Sequence, residues 1–212
     1  NGVDYDEWDP RRDPFLPRHY GANQLGIKAS LKQELQQRVG LAGGERRPLT
    51  GMISRMATKK GFDLLFDALP ALLPVHDFNL LVLGSGEARY EEFFAGLQRD
   101  FPGRVHFHRG YSEELAHWIE AASDMFLMPS RYEPCGLNQL YSLRYGTVPI
   151  VRRTGGLADS VQTFDAAAGT GTGVVFNDYD SRAVVWAVSH ALDLYRNRGA
   201  WRRLVQNGMA QD

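Results

Sequence analysis

The sequence has a single cysteine, almost no net charge and no long apolar run. Cys135, the one cysteine among 212 residues, cannot form an internal disulfide, which fits a reducing compartment. A formal net charge of −1 gives no field that would attract nucleic acid or an anionic membrane. No apolar run approaches the ~20 residues that a membrane-spanning helix needs. We therefore expect neither nucleic acid nor a membrane as a partner.

The composition indicates one sizeable α/β domain. Apolar residues make up 43% of the chain and aromatic residues 11%, which excludes a disordered polymer. From residue 49 onward, strand-like and helix-like patterns alternate, as in a Rossmann-like, doubly wound parallel sheet. The pattern predicts strands over 49–53, 79–83, 104–108, 125–128, 147–151 and 173–176. It predicts helices over 62–73, 89–99, 113–121, 181–195 and 200–209, with a further helix beginning near Leu137.

Residues 1–48 fit no repeat of such a sheet. Pro10, Pro14 and Pro17 favour an extended lead-in peptide, and residues 30–39 predict a surface helix. We expect both to pack on the sheet domain formed by residues 49–212. The chain also begins inside a motif, so we expect it to be a fragment of a longer protein.

The stretch that follows residue 124 holds the most informative pattern. Met125–Met128 predicts a buried strand, Glu133-Pro134-Cys135-Gly136 turns into a helix, and residues 147–151 predict the next strand. Loops after the strands of a parallel sheet gather at one edge, where ligands bind. Amides at the helix start attract phosphate oxygens, and two arginines with a Gly-Gly pair follow on the next loop. This combination suits a sugar joined to a diphosphate.

Three segments resemble those of a known enzyme family. Tyr132-Glu-Pro-Cys-Gly-Leu-Asn-Gln-Leu-Tyr-Ser-Leu-Arg-Tyr-Gly-Thr-Val-Pro-Ile-Val-Arg-Arg-Thr-Gly-Gly-Leu-Ala-Asp159 looks like the donor-site signature of bacterial glycogen synthases and plant starch synthases. Asn1-Gly-Val-Asp-Tyr-Asp-Glu-Trp-Asp-Pro10 looks like the segment that leads into their C-terminal domain. Ser54-Arg-Met-Ala-Thr-Lys-Lys-Gly-Phe-Asp-Leu-Leu65 looks like their phosphate-binding loop. The resemblance runs through nearly the whole chain.

The resemblance implies a fold, a reaction and a set of partners. The chain would be the C-terminal half of a GT-B type, two-domain glycosyltransferase that moves glucose from ADP-glucose to the non-reducing 4-hydroxyl of an α-1,4-glucan, with retention. Its partners would be ADP-glucose or ADP, and a glucan acceptor bound through an N-terminal domain that this chain lacks. The fragment alone is then expected to be inactive. No cofactor is expected, and the location would be the cytoplasm of a bacterium or a plastid.

Three residues are candidates for catalysis. Arg55 and Lys60 follow the first core strand on one loop, where they could stabilise the charge of a departing diphosphate. Taken alone they are better explained as a solvated basic loop, and the resemblance reverses that preference, with Lys59 as the bystander. Glu133 stands before a helix start, where its carboxylate can accept hydrogen bonds from sugar hydroxyls. A contact with the helix dipole is the alternative explanation for Glu133.

Further residues are candidates for binding the donor. Gly84-Ser85-Gly86 lacks the third glycine of a dinucleotide fingerprint, so an NAD-binding domain is the least favoured alternative. Tyr111 could stack on the base or close the rim of the domain. Tyr141 stands where many related transferases have a glutamate, a departure shared by the glycogen synthase group. The set is Gly84, Ser85, Tyr111, Cys135, Gly136, Leu137, Asn138, Tyr141, Thr154, Gly155 and Gly156.

The remaining candidates would contact the donor through amide or other backbone groups. Thr154-Gly155-Gly156 could wrap a diphosphate with its amides, or be a plain turn. Asn138 stands where many of these enzymes have threonine, and its amide can still donate to phosphate. Cys135 is placed to offer its backbone.

No metal site is expected. Two Asp-Tyr-Asp triplets, at 4–6 and 178–180, imitate a metal motif of another transferase fold, but the first lies in the lead-in peptide and the second caps a helix. His106 and His108 alternate on one face of a strand, and packing explains them better, since zinc sites use three or four ligands.

Two alternatives remain open. A related transferase could use UDP-glucose or GDP-mannose, against which Tyr141 argues. A noncatalytic nucleotide-sugar-binding or regulatory module is the other, and an N-terminal partner domain in the parent gene would argue against it.

Overall fold

The computed structural model describes residues 6–134 and 136–211, within which six parallel strands form one sheet. Their order across the sheet is β3-β2-β1-β4-β5-β6, so the winding reverses between β1 and β4. That order is the one of a doubly wound sheet, and the predicted Rossmann-like fold class is confirmed. The strands are β1 (Leu49–Met56), β2 (Asn79–Gly86), β3 (Val105–Arg109), β4 (Met125–Met128), β5 (Val148–Arg152) and β6 (Val174–Phe176).

Helices cover both faces of the sheet. One face packs against α2, α3 and α7, and the other against α1, α4 and α5. Alternate residues of β2 therefore enter different cores, Leu80 and Val82 on one side and Leu81 and Leu83 on the other. The helices are α1 (Leu25–Val39), α2 (Phe62–Leu72), α3 (Ala88–Asp100), α4 (Glu113–Ala122), α5 (Asn138–Tyr145), α6 (Gly155–Ser160), α7 (Ser181–Arg196) and α8 (Arg198–Met209), with a 3₁₀ helix at Thr58–Lys60.

The first two strands are longer than predicted. β1 and β2 stay paired through Arg55 with Ser85 and Met56 with Gly86. The apolar pattern ends earlier, because the carboxyl ends of both strands carry polar residues. The sequence pattern also missed the 3₁₀ helix and α6, which are short and have no apolar periodicity of their own. The other predicted elements agree with the structure to within a few residues.

The predicted helix over 30–39 begins earlier in the structure, and one of its faces is buried. α1 begins at Leu25, and its Leu31, Lys32, Leu35 and Gln36 side chains are buried. The buried face mixes apolar and polar residues, so it has no amphipathic stripe that a sequence could reveal. Lys32 is satisfied in the interior by an ion pair of 2.7 Å with Asp124.

The lead-in segment packs on α4 and α5 through aromatic and polar contacts. The Trp8 ring stacks on His117 with centroids 3.6 Å apart. The Tyr20 hydroxyl donates to the Tyr145 carbonyl oxygen at 2.6 Å. Asp13 accepts from the Tyr145 hydroxyl at 2.6 Å and lies 2.7 Å from His117 Nδ1. These buried contacts hold residues from 8 onward against the sheet domain.

Asp180 caps α7 as predicted, accepting from the Arg182 amide at 2.7 Å. Asp4, of the other Asp-Tyr-Asp triplet, lies outside the described residues.

His106 is half-buried and His108 is exposed. Burial lowers the pKa of His106, and charge repulsion from His108 lowers it further.

None of the helices in the described ranges carries an apolar run of the length that spanning a bilayer requires.

A buried lysine and a buried glutamate lie between α1, α4 and α5. Lys28 Nζ donates to the Ala121 carbonyl at 2.7 Å and to Thr147 Oγ1 at 2.8 Å, which satisfies the carboxyl end of α4. Glu120 accepts from the Ser142 hydroxyl at 3.0 Å. Burial raises the pKa of Glu120 to about 8 and lowers the pKa of Lys28 to about 7.

The raised pKa of Glu120 predicts a pH-dependent stability. Above pH 4.5, the ordinary pKa of a glutamate, the Glu120 carboxyl group loses its proton in the unfolded chain. In the folded chain it keeps this proton until about pH 8. The free energy of unfolding should therefore fall as the pH rises from about 5 to about 7, by at most ~1.4 kcal/mol per pH unit for one group. Urea unfolding at several pH values across this range measures the free energy of unfolding. Glu120→Gln should remove this slope, and parallel curves for both proteins would contradict the assignment.

Candidate functional site

The carboxyl ends of β1 and β4 form a small cavity at the reversal point of the sheet. Its volume is about 160 Å³, and Arg55, Lys60, Ser130, Glu133 and Asn138 line it. The structure thus brings together the three predicted catalytic residues and one predicted binding residue. In a doubly wound sheet this edge is where ligands bind.

Lys60 and Glu133 form the central contact of this cavity. Lys60 Nζ lies 2.7 Å from Glu133 Oε2, and the Ser130 hydroxyl donates to the same oxygen at 3.4 Å. The Glu133 side chain is 10% exposed and that of Lys60 is 24% exposed. The two charges compensate each other in a place where water is largely excluded. Sequence reasoning missed Ser130, whose one signal was its position two residues after a buried strand.

Arg55 and Lys59 differ from Lys60 in their surroundings. Both side chains are exposed, and Arg55 forms no ion pair with any residue in the described ranges. Lys59 uses its backbone, because its carbonyl accepts from the Arg131 amide at 2.9 Å. Arg55 is therefore available to an anion at the mouth of the cavity.

The glycine after Lys60 sets the approach of this loop. Gly61 has a φ of +82°, and a Cβ at this position would overlap the carbonyl oxygen of Pro129. The close contact brings the loop that carries Lys60 against the loop that carries Glu133. Only glycine permits both the backbone angle and the approach.

The start of α5 is tied to β1. The Asn138 side-chain amide donates to the Ile53 carbonyl at 3.0 Å, and no side chain caps the helix. Leu137 before it is exposed, and Gly136 has a φ of +67°. Cys135 lies outside the described residues. The expected donation from Asn138 to phosphate stays a prediction, and in this structure its amide holds the helix start in place.

The Thr154–Gly156 segment braces the loop of Glu133. Gly155 and Gly156 begin α6, so the segment is not a plain turn. The Gly156 amide donates to the Glu133 carbonyl at 3.0 Å. A Cβ at Gly155, whose φ is +47°, would overlap that carbonyl oxygen. A contact of these amides with a diphosphate stays a prediction.

The two predicted arginines of the next loop form hydrogen bonds with neighbouring loops. Arg152 donates to the Arg131 carbonyl at 2.8 Å and to the Asn177 carbonyl at 3.0 Å. Arg153 donates to the Asn177 side chain at 2.9 Å. They stabilise the loops beside the cavity and do not line it.

Four other predicted binding residues lie outside the small cavity. A Cβ at Gly84 would overlap the Ser54 carbonyl, so this glycine serves the close pairing of β1 and β2. Ser85 is exposed, and Tyr111 is 71% exposed beyond the end of β3. Tyr141 packs away from the cavity, its ring stacked on Trp8 at 4.2 Å. Contacts of these four with a donor stay predictions.

Comparison with known proteins gives the family of the chain. Residues 33–208 match the family model for glycosyl transferases group 1. The chain belongs to this family. All of it aligns with the glycogen synthase of Anaeromyxobacter dehalogenans at 54% identity over 212 residues, and with that of Thermosipho melanesiensis at 46% over 213 residues.

A solved structure extends the comparison. The catalytic domain of starch synthase IV from Arabidopsis thaliana, bound to ADP and acarbose, superposes on the whole chain with a TM-score of 0.92 and 37% identity. The predicted kinship with glycogen and starch synthases is confirmed, and so is the fold of the C-terminal half of a GT-B enzyme. The chain spans 44% of the length of each of these three relatives.

The contact between Gly61 and Pro129 predicts a strong local effect on stability. Gly61→Ala must adopt an unfavourable backbone angle and also displace the Pro129 carbonyl, whereas Gly40→Ala has a φ of +78° with open space around its Cβ. We expect about 1–2 kcal/mol lost at Gly40, and at least ~2 kcal/mol more at Gly61. Urea unfolding of the two variants compares them. Equal losses would show that the approach of the two loops is loose.

Proposed function

We propose that this chain is the donor-binding domain of a retaining glucosyltransferase of the glycogen or starch synthase type. The reaction is transfer of glucose from ADP-glucose to the non-reducing 4-hydroxyl of an α-1,4-glucan. The observation that carries the proposal is the cavity in which Lys60 and Glu133 pair and Arg55 stands unpaired at the mouth. The similarity to glycogen synthases and to a starch synthase bound to ADP supports it.

The cations suit the leaving group. As the glycosidic bond breaks, negative charge develops on the departing diphosphate, and fixed cations aimed at it lower the barrier. Arg55 is exposed and free to turn towards the phosphates, and Lys60 lines the same cavity. These two cations, with the amides at the start of α5, are proposed to offset this charge without a divalent ion.

The carboxylate suits the sugar. Glu133 accepts hydrogen bonds only, and its largely buried oxygens face Lys60 and Ser130. A glucose in the cavity would offer hydroxyl donors to this carboxylate while the diphosphate attracts Lys60. Donor binding therefore exchanges one ion pair for a set of charge-assisted hydrogen bonds.

The nucleotide must extend beyond the small cavity. A volume of about 160 Å³ is less than the ~300–1,000 Å³ of ordinary ligand pockets. Along the same sheet edge lie Ser85 at the end of β2 and Tyr111 after β3, both exposed. We place the ribose and the base over these residues, with the Tyr111 ring available for stacking.

The division of the chain belongs to the proposal. Residues 1–48 form the lead-in peptide and the helix that packs on the domain, and residues 49–212 form the nucleotide-sugar-binding unit. An N-terminal domain of the parent protein supplies the acceptor site, which fits the 44% share of the relatives that this chain covers.

Nucleotide binding tests the donor assignment. We expect the isolated chain to bind ADP and ADP-glucose more tightly than UDP or GDP in titration calorimetry. It should transfer no labelled glucose to glycogen, because the acceptor site is elsewhere. Equal binding of the three diphosphates would contradict the ADP assignment, and robust incorporation of label by the chain alone would contradict the division into domains.

Removing single cations tests their role in catalysis. In the two-domain parent, Arg55→Ala and Lys60→Ala should each lower kcat/KM by roughly 10², a loss of about 3 kcal/mol typical of one charge-stabilising donor. Lys59→Ala is the matched control on the same loop, and its exposed side chain should contribute much less. Comparable losses at Lys59 and Lys60 would mean that the loop supplies only diffuse charge.

The effect of Gly155 on the position of Glu133 can be measured separately from phosphate binding. If Gly155 positions Glu133, Gly155→Ala should lower the affinity of the isolated chain for ADP-glucose, because Glu133 is the proposed acceptor for the glucose hydroxyls. The affinity for ADP should stay within about twofold, since Arg55 and Lys60 are unchanged. Gly169→Ala, with a φ of +69° in a remote loop, is the control for backbone strain. A parallel loss of ADP affinity would assign Gly155 to the diphosphate instead.

A further inference from the structure

A second, larger cavity lies at the opposite edge of the sheet. Its volume is about 1,020 Å³. Pro48, Asp77, Asp124 and Gly146 line it, and each stands just before a strand of the sheet. An eight-residue strand such as β1 separates the two edges by about 25 Å. The cavity is therefore distinct from the candidate donor site.

The charge of this cavity departs from that of the chain. Its lysines and arginines outnumber its carboxylates by six to three, whereas the chain has a net charge of −1. Burial lowers the pKa of Lys28 to about 7, and Arg196 is paired with Asp193 at 2.7 Å. Such a local excess in a concave site attracts anions. The cationic residues are Lys28, Lys32, Arg46, Arg196, Arg198 and Arg202, and the carboxylates are Glu45, Asp77 and Asp124.

The buried cations build the floor of the cavity. Lys32 Nζ pairs with Asp124 at 2.7 Å and donates to the Glu45 carbonyl at 2.7 Å. Lys32 also lies 5.6 Å from the centroid of the Tyr195 ring. Asp124 is thereby neutralised, and it does not compensate the arginines at the rim.

Three guanidinium groups at the rim remain for a ligand. Arg46 and Arg202 form no ion pair within residues 6–134 and 136–211. The guanidinium carbon of Arg198 lies 4.4 Å from the centroid of the Tyr195 ring, and the same group donates one hydrogen bond to the Tyr195 carbonyl. Solvated arginines on a convex surface would need no further explanation, but these three line one cavity together with Tyr195 and Trp201.

We infer that this cavity binds a phosphate ester of a small organic molecule. Guanidinium groups match phosphate oxygens with paired donors, and the excess of positive charge suits a dianion. The volume is far larger than a phosphate ion and lies at the upper end of ordinary ligand pockets, so it leaves room for an organic body. Tyr195 and Trp201 supply the wall against which that body packs. This assignment does not depend on the proposed function.

The test uses glucose 1-phosphate as the probe, on a chain carrying Arg55→Ala and Lys60→Ala so that the candidate donor site has lost its two cations. Calorimetry should show that this chain binds glucose 1-phosphate as tightly as the wild-type chain does. The double variant Arg46→Ala/Arg202→Ala should lose at least about tenfold in affinity. Arg99→Ala/Arg203→Ala is the control, because it removes the same charge from exposed positions that do not line the cavity, one of them adjacent to Arg202. The four arginines substituted in the last two double variants are exposed, and unchanged unfolding curves would show that the variants fold.

Three outcomes would overturn the assignment. The first is no binding of glucose 1-phosphate to the wild-type chain, or binding that is lost when Arg55 and Lys60 are replaced by alanine. The second is an equal loss in the control variant, which would show only a response to net charge. The third is inorganic phosphate binding as tightly as glucose 1-phosphate, which would remove the role of the aromatic wall.

Discussion

The parallel pairing of β1 with β2 on one side and β4 on the other is the constraint on which the rest depends. Because all strands run in one direction, each strand ends at the same edge and begins at the other. The reversal of winding between β1 and β4 leaves a gap above their carboxyl ends that no crossover helix closes. Lys60 after β1 and Glu133 after β4 meet across this gap, although 73 residues separate them. Strand direction, and not local sequence, creates the cavity.

Two glycines allow the loops to approach closely enough for Lys60 and Glu133 to pair. A side chain at Gly61 would push away the Pro129 backbone, and one at Gly155 would push away the Glu133 backbone. Glu133 is therefore held from both sides, by its ion pair with Lys60 and by the Gly156 amide on its carbonyl. In a partly buried site, the attraction within an ion pair offsets the free energy of desolvating the two charges only when the geometry is good. The tight backbone contacts supply that geometry without using the side chains that a ligand needs.

The sequence allowed the fold class and most elements to be predicted, because buried parallel strands and capped helices leave local patterns. Met125–Met128 is an apolar run with identical predicted and observed bounds, and Asp180 caps α7 where expected. Polar strand ends such as Ser54 and Arg55 carry no such pattern, since their pairing with β2 is a tertiary contact. The buried face of α1 leaves no local pattern for the same reason, because the partner of Lys32 is Asp124, far away in the chain.

The candidate site could be predicted only in part for a related reason. Arg55 and Lys60 on their own indicated no more than a basic loop, and only the family resemblance separated Lys60 from Lys59. The structure adds the physical difference, since Lys60 has a buried carboxylate partner and the Lys59 side chain faces solvent. No local pattern reveals that Gly155 touches Glu133, because that contact joins two loops that follow different strands.

Tyr141 shows how the lead-in segment is connected to the site. A carboxylate at this position could not stack, whereas the tyrosine ring lies against Trp8, which in turn stacks on His117 of α4. Tyr141 is one turn along α5 from Asn138, which fastens the helix start to the Ile53 carbonyl beside the cavity. Rigid packing of this kind transmits displacement, since close-packed interiors have little free space. The segment before the sheet is therefore in direct mechanical contact with the helix whose first turn borders Glu133.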